Sequence, residues 1–408
     1  MSSVAIHVVP SSQTVLGQKQ LNRVQSIDLL RGVVMIIMAL DHVRDYFHAD
    51  AFFYNPLDLE KTSIALFFTR WITHLCAPVF VFLAGTSAFL VGNKKGKAEL
   101  SAFLLKRGLW LIVLEFTVIN FAWFFNAEFP LLALTVIWAL AIGMIVLSVA
   151  IYIPFKLLLA LGFVLVAGHN FLDSIHIKEG FGSSLTWSLL HEQGGFALGH
   201  FFVFVGYPII PWTGIMILGY CFGNFYKPTF DATRRKRLLL TIGLLMIVSF
   251  CILRLLNVYG DPFPWQSQGN VLYTFLSFLN VTKYPPSLLY TLITLGPAFI
   301  FLSFSENYNG RISQYVISLG RVPMFYYITH LYLIHIIAVV AALATGFDIS
   351  DMVFNTWVTD SPNLKRYGFN LGVVYFVWIA VVLLLYPLCL WYDRYKIANK
   401  EKWWLSYL

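Results

Sequence analysis

The stretch Ser26-Ile-Asp28-Leu-Leu-Arg31-Gly-Val-Val-Met35-Ile-Ile-Met38-Ala-Leu-Asp41-His42 is the first long apolar run of the chain. It nevertheless carries charges and an imidazole, which membrane helices normally lack. Arg31 and His42 are eleven positions apart. In a helix that is three turns plus about 20°, which places both on one face, about 16 Å apart along the axis. Asp28, Met35 and Met38 share that stripe. A charge inside a bilayer costs roughly 3 kcal/mol or more, so such residues face a cavity or a partner and mark function.

Around this stretch, the 408 residues are 59% hydrophobic, 17% aromatic and 12% charged. A soluble chain of this size carries about twice that charged fraction. The composition therefore predicts an all-α, polytopic membrane helix bundle and excludes a soluble enzyme with one anchor. Ten apolar runs qualify as spanning helices: 27–44, 66–92, 103–124, 130–149, 153–171, 207–226, 238–256, 286–304, 320–344 and 370–391. Residues 194–206 read as an eleventh, re-entrant or spanning piece. The expected organisation is a tail over 1–25, one transmembrane domain over 26–395 with a central pore, and a tail over 396–408. The first run keeps Asp28 and Arg31 and has no small-residue cleavage site, so it reads as a retained helix and not a signal peptide.

The net charge of +8 does not point to nucleic acid, because the basic residues cluster between apolar runs. Lys19 and Arg23, Lys94 to Arg107, Lys156, Lys227 to Arg237, Arg311 and Arg321, and Arg394 to Lys402 fall in alternate loops. Positive-inside bias then predicts both termini in the cytoplasm. The opposite loops, 169–207, 257–285 and 346–369, are longer and aromatic, with Trp187, Trp265, Tyr273 and Trp357 and with His176, His191 and His200. Their rings suit the membrane interface, and also a platform for a sugar face. The four cysteines sit in or beside apolar runs and predict packing, not a disulfide framework.

On this topology Arg31 lies in the inner half of the first helix and His42 toward its outer end. Arginine holds anionic groups in fixed geometry, and histidine serves as a general base. Asp41 or Asp45 is placed to orient an imidazole. An Arg31–Asp28 pair with His42 as a packing residue accounts for the same pattern. His42 and His48 are spaced six apart without a HExxH or CxxC pattern, so no metal is expected. In the second run, Ala84, Gly85 and Ser87 suit close helix contact, and His74 is placed to line the same cavity. His330 and His335 diverge by roughly 140° on a helix, and His330 is the better cavity candidate.

With these residues in place the chain resembles the transmembrane acyltransferases that share an Arg-x10-His signature. It is most similar to the bacterial branch of the heparan-alpha-glucosaminide N-acetyltransferase-like family. Ser26 to Gly32 with His42, Ala77 to Ser87, Tyr207 to Tyr220 including Trp212, Asn280 to Ser287, Gly320 to His330, and Trp391 to Tyr407 carry the resemblance across nearly the whole chain. It implies that an acyl-CoA, usually acetyl-CoA, is the donor substrate on the cytoplasmic side, and that a sugar or glycan is the extracytoplasmic acceptor. It implies a multi-pass protein of a bacterial inner membrane, needs no metal, and allows a homodimer. His42 is the implied base with Asp41 as its orienter. The eukaryotic enzymes have asparagine at the position matching His42 and their histidine in the following loop, where His48 is the nearest counterpart. Arg31, Arg107 and Arg321 are the implied donor-binding cations. His74, Lys283, Tyr284, His330 and Trp212 are pore or acceptor residues. The rival is a secondary transporter using the same intramembrane Asp, Arg and His; the lack of paired broken helices in two matching halves weakens it.

Overall fold

Helix α1 is built by the opening stretch itself and spans Gln25–Phe47. Its charges decide where it goes, since each needs a partner away from lipid. It runs through the interior, packed on several helices. In chain order the helices after it are α2 (Ile64–Ile72), α3 (Cys76–Gly92), α4 (Lys97–Leu114), α5 (Asn120–Phe124), α6 (Val136–Ala150), α7 (Phe155–Ala167), α8 (Phe181–Leu190), α9 (Ile209–Phe222), α10 (Ala232–Leu256), α11 (Val271–Leu279), α12 (Leu288–Ser305), α13 (Arg311–Arg321), α14 (Pro323–Ala344) and α15 (Leu371–Ala398). The partners of α1 include α13, α15, α14, α3, α12 and α2. The structure, a computed structural model, describes residues 24–306, 308, 310–402 and 405. The tail residues Lys19 and Arg23, and the Trp403, Trp404 and Tyr407 of the C-terminal motif, lie outside the described residues.

Helix starts follow local chemistry. Ser63, Asp231, Ser287 and Asn370 each accept a backbone N–H of the turn that follows, at the heads of α2, α10, α12 and α15. The α4–α5 pair is one rod interrupted by a π turn at Glu115–Ile119. There the buried Glu115 carboxylate accepts the Thr135 N–H at 2.5 Å.

Each of the ten apolar runs contains a helix. Among the described residues, five helical segments are long and apolar enough to cross a membrane: Ile64–Gly92, Ala232–Leu256, Leu288–Ser305, Pro323–Ala344 and Leu371–Ala398. Val136–Ala150 and Phe155–Ala167 are shorter apolar helices. The chain is a multi-pass membrane protein of mostly helical fold.

Two expectations are corrected. The chain is not all-α: β1 (Leu131–Leu134), β2 (Gly194–Leu198) and β3 (Phe201–Val205) form a sheet in the order β1-β3-β2. The 194–206 segment is therefore the β2–β3 hairpin of that sheet and not an extra helix. It turns through Gly199 and His200, with Gly199 at φ +63, a conformation glycine adopts freely. β1 runs parallel to β3 and satisfies its other edge. Asn120 fixes β1 by accepting the Ala133 N–H at 2.8 Å and donating to the Ala133 carbonyl at 3.1 Å.

Two helix crossings depend on glycine. A Cβ on Gly320 would meet the Asp28 carbonyl at 1.9 Å, and one on Gly32 the Val316 carbonyl at 2.0 Å. The α3–α9 crossing repeats this, with Gly85 facing the Met216 carbonyl and Gly219 the Phe82 carbonyl, each at 2.0 Å. Of the small residues of α3, Gly85 thus serves backbone contact. A Gly320→Val chain is expected to lose about 1–3 kcal/mol from overpacking, and to melt several degrees lower in detergent. Gly96→Ala, at a position with nothing within 4 Å, is the control expected to melt like the wild type.

Candidate active site

Along α1 runs a cavity of about 1040 Å³, lined at one level by Arg31 and further along by Asp41, His42, Arg44 and Asp45. Its size is in the range of small-molecule sites. Its wall includes Arg107 of α4, Arg321 of α13 and Lys396 of α15, together with Arg70, Lys283 and Tyr284. Strands β1 and β3 contribute Leu131, Leu134, Phe202 and Phe204, so the sheet forms part of the wall.

Arg31 is held on three helices. It donates to Asp28 at 2.8 Å, to the Gly320 carbonyl at 3.1 Å and to Ser87 Oγ at 2.9 Å. The Arg31–Asp28 pair read from sequence is present, and Arg31 also faces the cavity. The next residue after its carbonyl partner is Arg321, which pairs with Asp393 at 3.4 Å.

Asp41 is the centre of a charge cluster. Arg70 Nη1 donates to both its oxygens at 2.7 and 2.6 Å, Thr73 donates at 2.9 Å, and Arg44 lies 2.8 Å away. Arg44 also donates to Asp45 at 2.5 Å. The cluster joins α1 to α2 and the turn after it. The Asp41 carboxylate is thus occupied by arginines and a threonine.

Beside His42 stands His330 instead. His42 Nδ1 and His330 Nε2 are 2.7 Å apart, with rings stacked at 4.9 Å. His330 Nδ1 lies 2.9 Å from the Tyr326 carbonyl, one turn back on α14. A carbonyl only accepts, so His330 carries its proton on Nδ1 and presents a bare Nε2 when neutral. His42 must then donate from Nδ1, and its Nε2 keeps a free lone pair. Trp123 holds the ring edge-on at 4.8 Å. The half-buried His42 therefore presents a proton-accepting nitrogen on the ring that lines the cavity.

The remaining expected residues divide. Lys283 and Tyr284 line the cavity, with the Lys283 ammonium 5.1 Å from the Tyr284 ring centre. They are set by a frame in which the buried Arg254 donates to the carbonyls of Phe263, Ser277, Phe278 and Asn280. Asp261 accepts from the Thr282 N–H and the Ser287 hydroxyl. Trp212 is fully buried behind Tyr207, whose ring lies tilted 5.1 Å from it and faces the cavity. His74 is buried against Tyr290, 5.4 Å between rings, and is not in the cavity wall. His48 caps the end of α1, where Phe369 pairs with the backbone on either side. It is buried outside the cavity wall, and that burial lowers its imidazole pKa. His335 faces the carbonyls of Ala122 and Met352, away from His42.

Sequence reasoning passed over Arg70, although it is the one charge in the 66–92 run and so carried a signal. Tyr327 and Trp123, which line the cavity near His42, carried none, whereas Trp357, also in the wall, was among the loop aromatics noted from sequence. Removing one side of the Asp41 cluster leaves buried charge uncompensated. Asp41→Ala is expected to cost about 3–5 kcal/mol, and Asp41→Asn less, as read from the melting temperature of the detergent-solubilised chain.

Residues 23–256 match the family model of the heparan-alpha-glucosaminide N-acetyltransferase catalytic domain. No curated protein sequence matches the chain. The match begins at the head of α1 and ends with α10, so it contains Arg31, the Asp41 cluster and His42, while His330 lies beyond it. More than half of the chain is covered, and the chain belongs to the heparan-alpha-glucosaminide N-acetyltransferase catalytic family of membrane acetyltransferases.

Proposed function

We propose that the chain transfers an acetyl group from acetyl-CoA at a cytoplasmic mouth to a hydroxyl or amine of an extracytoplasmic sugar. The observation that carries this is a single cavity shared by basic side chains and a histidine with a bare nitrogen. Arg31, Arg107, Arg321 and Lys396 suit a donor bearing several phosphates, since guanidinium groups hold phosphate oxygens in pairs. Basic residues in alternate loops support ten spans with both termini in the cytoplasm, and the resemblance to the bacterial branch of the family supports the inner membrane of a bacterium. That orientation puts Arg31 on the donor side and His42 on the acceptor side.

In this reading His42 Nε2 takes the proton of the acceptor hydroxyl or amine as its oxygen or nitrogen attacks the thioester carbonyl carbon. The carbon–sulfur bond breaks, and the proton on Nε2 goes to the departing thiolate. His330 holds the His42 tautomer that leaves Nε2 free, and the Lys283 ammonium supports negative charge building on the carbonyl oxygen. Asp41 acts through the arginines that fix the end of α1. The same lone pair also suits an acyl-histidine route, which trapping of labelled acetyl-enzyme distinguishes.

The test is transfer from labelled acetyl-CoA to a panel of sugars by the purified protein in lipid nanodiscs. His42→Ala is expected to lower kcat about 10²–10⁴-fold. Folded His42→Ala protein that binds acetyl-CoA and transfers at the wild-type rate overturns the assignment. His330→Gln is expected to lower kcat by a smaller factor with KM little changed. Arg321→Ala is expected to raise KM for acetyl-CoA more than it lowers kcat. Sugar uptake into vesicles without CoA, and no transfer, would replace the enzyme with a transporter.

A further inference from the structure

Away from the cavity, three side chains converge where α7 ends. His169 begins a short 3-10 turn, His169–Leu172, and Asp173 follows it directly. His191 sits at the end of α8, where the chain returns. One ligand atom from each of the three lies within 4.8 Å of the others. His191 Nε2 and Asp173 Oδ1 are 3.1 Å apart, and the two imidazole rings meet edge-on at 5.5 Å.

We propose that His169, Asp173 and His191 bind one divalent transition-metal ion of the zinc class, leaving a further position for water. Two imidazoles and a carboxylate are the donor set such ions take, whereas magnesium and calcium take oxygen. The 3.1 Å between His191 and Asp173 matches the edge between two ligands bound at about 2.1 Å. The widest separation must close by about 1 Å or slightly more, within the reach of a ring rotation.

The hydrogen bonding of the two rings is a further observation. His169 is 2% exposed, yet neither ring nitrogen has a hydrogen bond of normal geometry; the Pro286 carbonyl is the backbone group facing it. His191 is 3% exposed and its Nδ1 is likewise without a partner. Leaving buried polar nitrogen unsatisfied costs roughly 1–3 kcal/mol, which a bound ion would recover at both rings.

The surroundings say what the ion would do. Asn170 donates to Asp173 Oδ2 at 2.8 Å and accepts the Leu288 N–H at 3.0 Å. This links the carboxylate to the head of α12, just after Lys283 and Tyr284. An ion here would staple the 169–191 segment to the wall of the cavity without entering it.

The experiment uses tag-free full-length protein in detergent, stripped with EDTA, reloaded with Zn2+ or Co2+ and desalted. About one Zn2+ per chain by mass spectrometry is expected, with the visible absorption of Co2+ bound by nitrogen and oxygen. Zn2+ is expected to raise the melting temperature by several degrees. His169→Gln and Asp173→Asn, checked for folding by gel filtration, are expected to lower Zn2+ affinity more than tenfold and to abolish that rise. Stripped and reloaded wild type that retains no Zn2+ and shows no Co2+ band overturns the proposal, whatever the variants do. Equal Zn2+ retention by wild type and the folded variants overturns it as well.

Discussion

Charge in a bilayer has to find its partners in protein, and α1 carries Asp28, Arg31, Asp41, Arg44 and Asp45. That constraint makes α1 the axis of the molecule. Its N-terminal half is tied by Arg31 to Ser87 and to the Gly320 carbonyl, and its C-terminal half by Asp41 to Arg70 and Thr73. The close crossing at Gly32 and Gly320 is what lets Arg31 reach a backbone carbonyl of α13. Packing and charge satisfaction are one requirement here, because the helices carrying the partners must come within hydrogen-bond distance.

The same axis presents chemistry. His42 alone is an ambiguous imidazole. With His330 on one side, itself fixed by the Tyr326 carbonyl, its protonation pattern has one neutral solution. The partner that orients it comes from α14, 288 residues away, while the neighbouring Asp41 is spent on arginines. Residues adjacent in sequence thus have separate duties, one structural and one facing the cavity.

Much of this was legible beforehand. Apolar runs located the helices, since about 20 apolar residues are needed to cross a bilayer. Costly charges marked α1, and the Arg31–Asp28 pair and the helix-contact role of Gly85 were readable from spacing and size. The hairpin at 194–206 was misread because a short apolar segment satisfies a helix or a strand equally until its partner, β1, is known. His74 was expected to line the cavity and His48 was the alternative base, but the turn after α2 and the cap of α1 place both outside the cavity wall.

The sequence by itself determined that this chain lives in a membrane, where its helices begin, and which helix bears the charges that demand a cavity or partners, because hydropathy and capping act locally. It also placed the chain in its family through motifs spread from α1 onward. Only the tertiary structure decided which imidazole stands beside His42, which arginines hold Asp41, and that His169, Asp173 and His191 meet. Those are contacts between segments far apart in sequence, and their distances depend on how the helices cross, which no local pattern encodes.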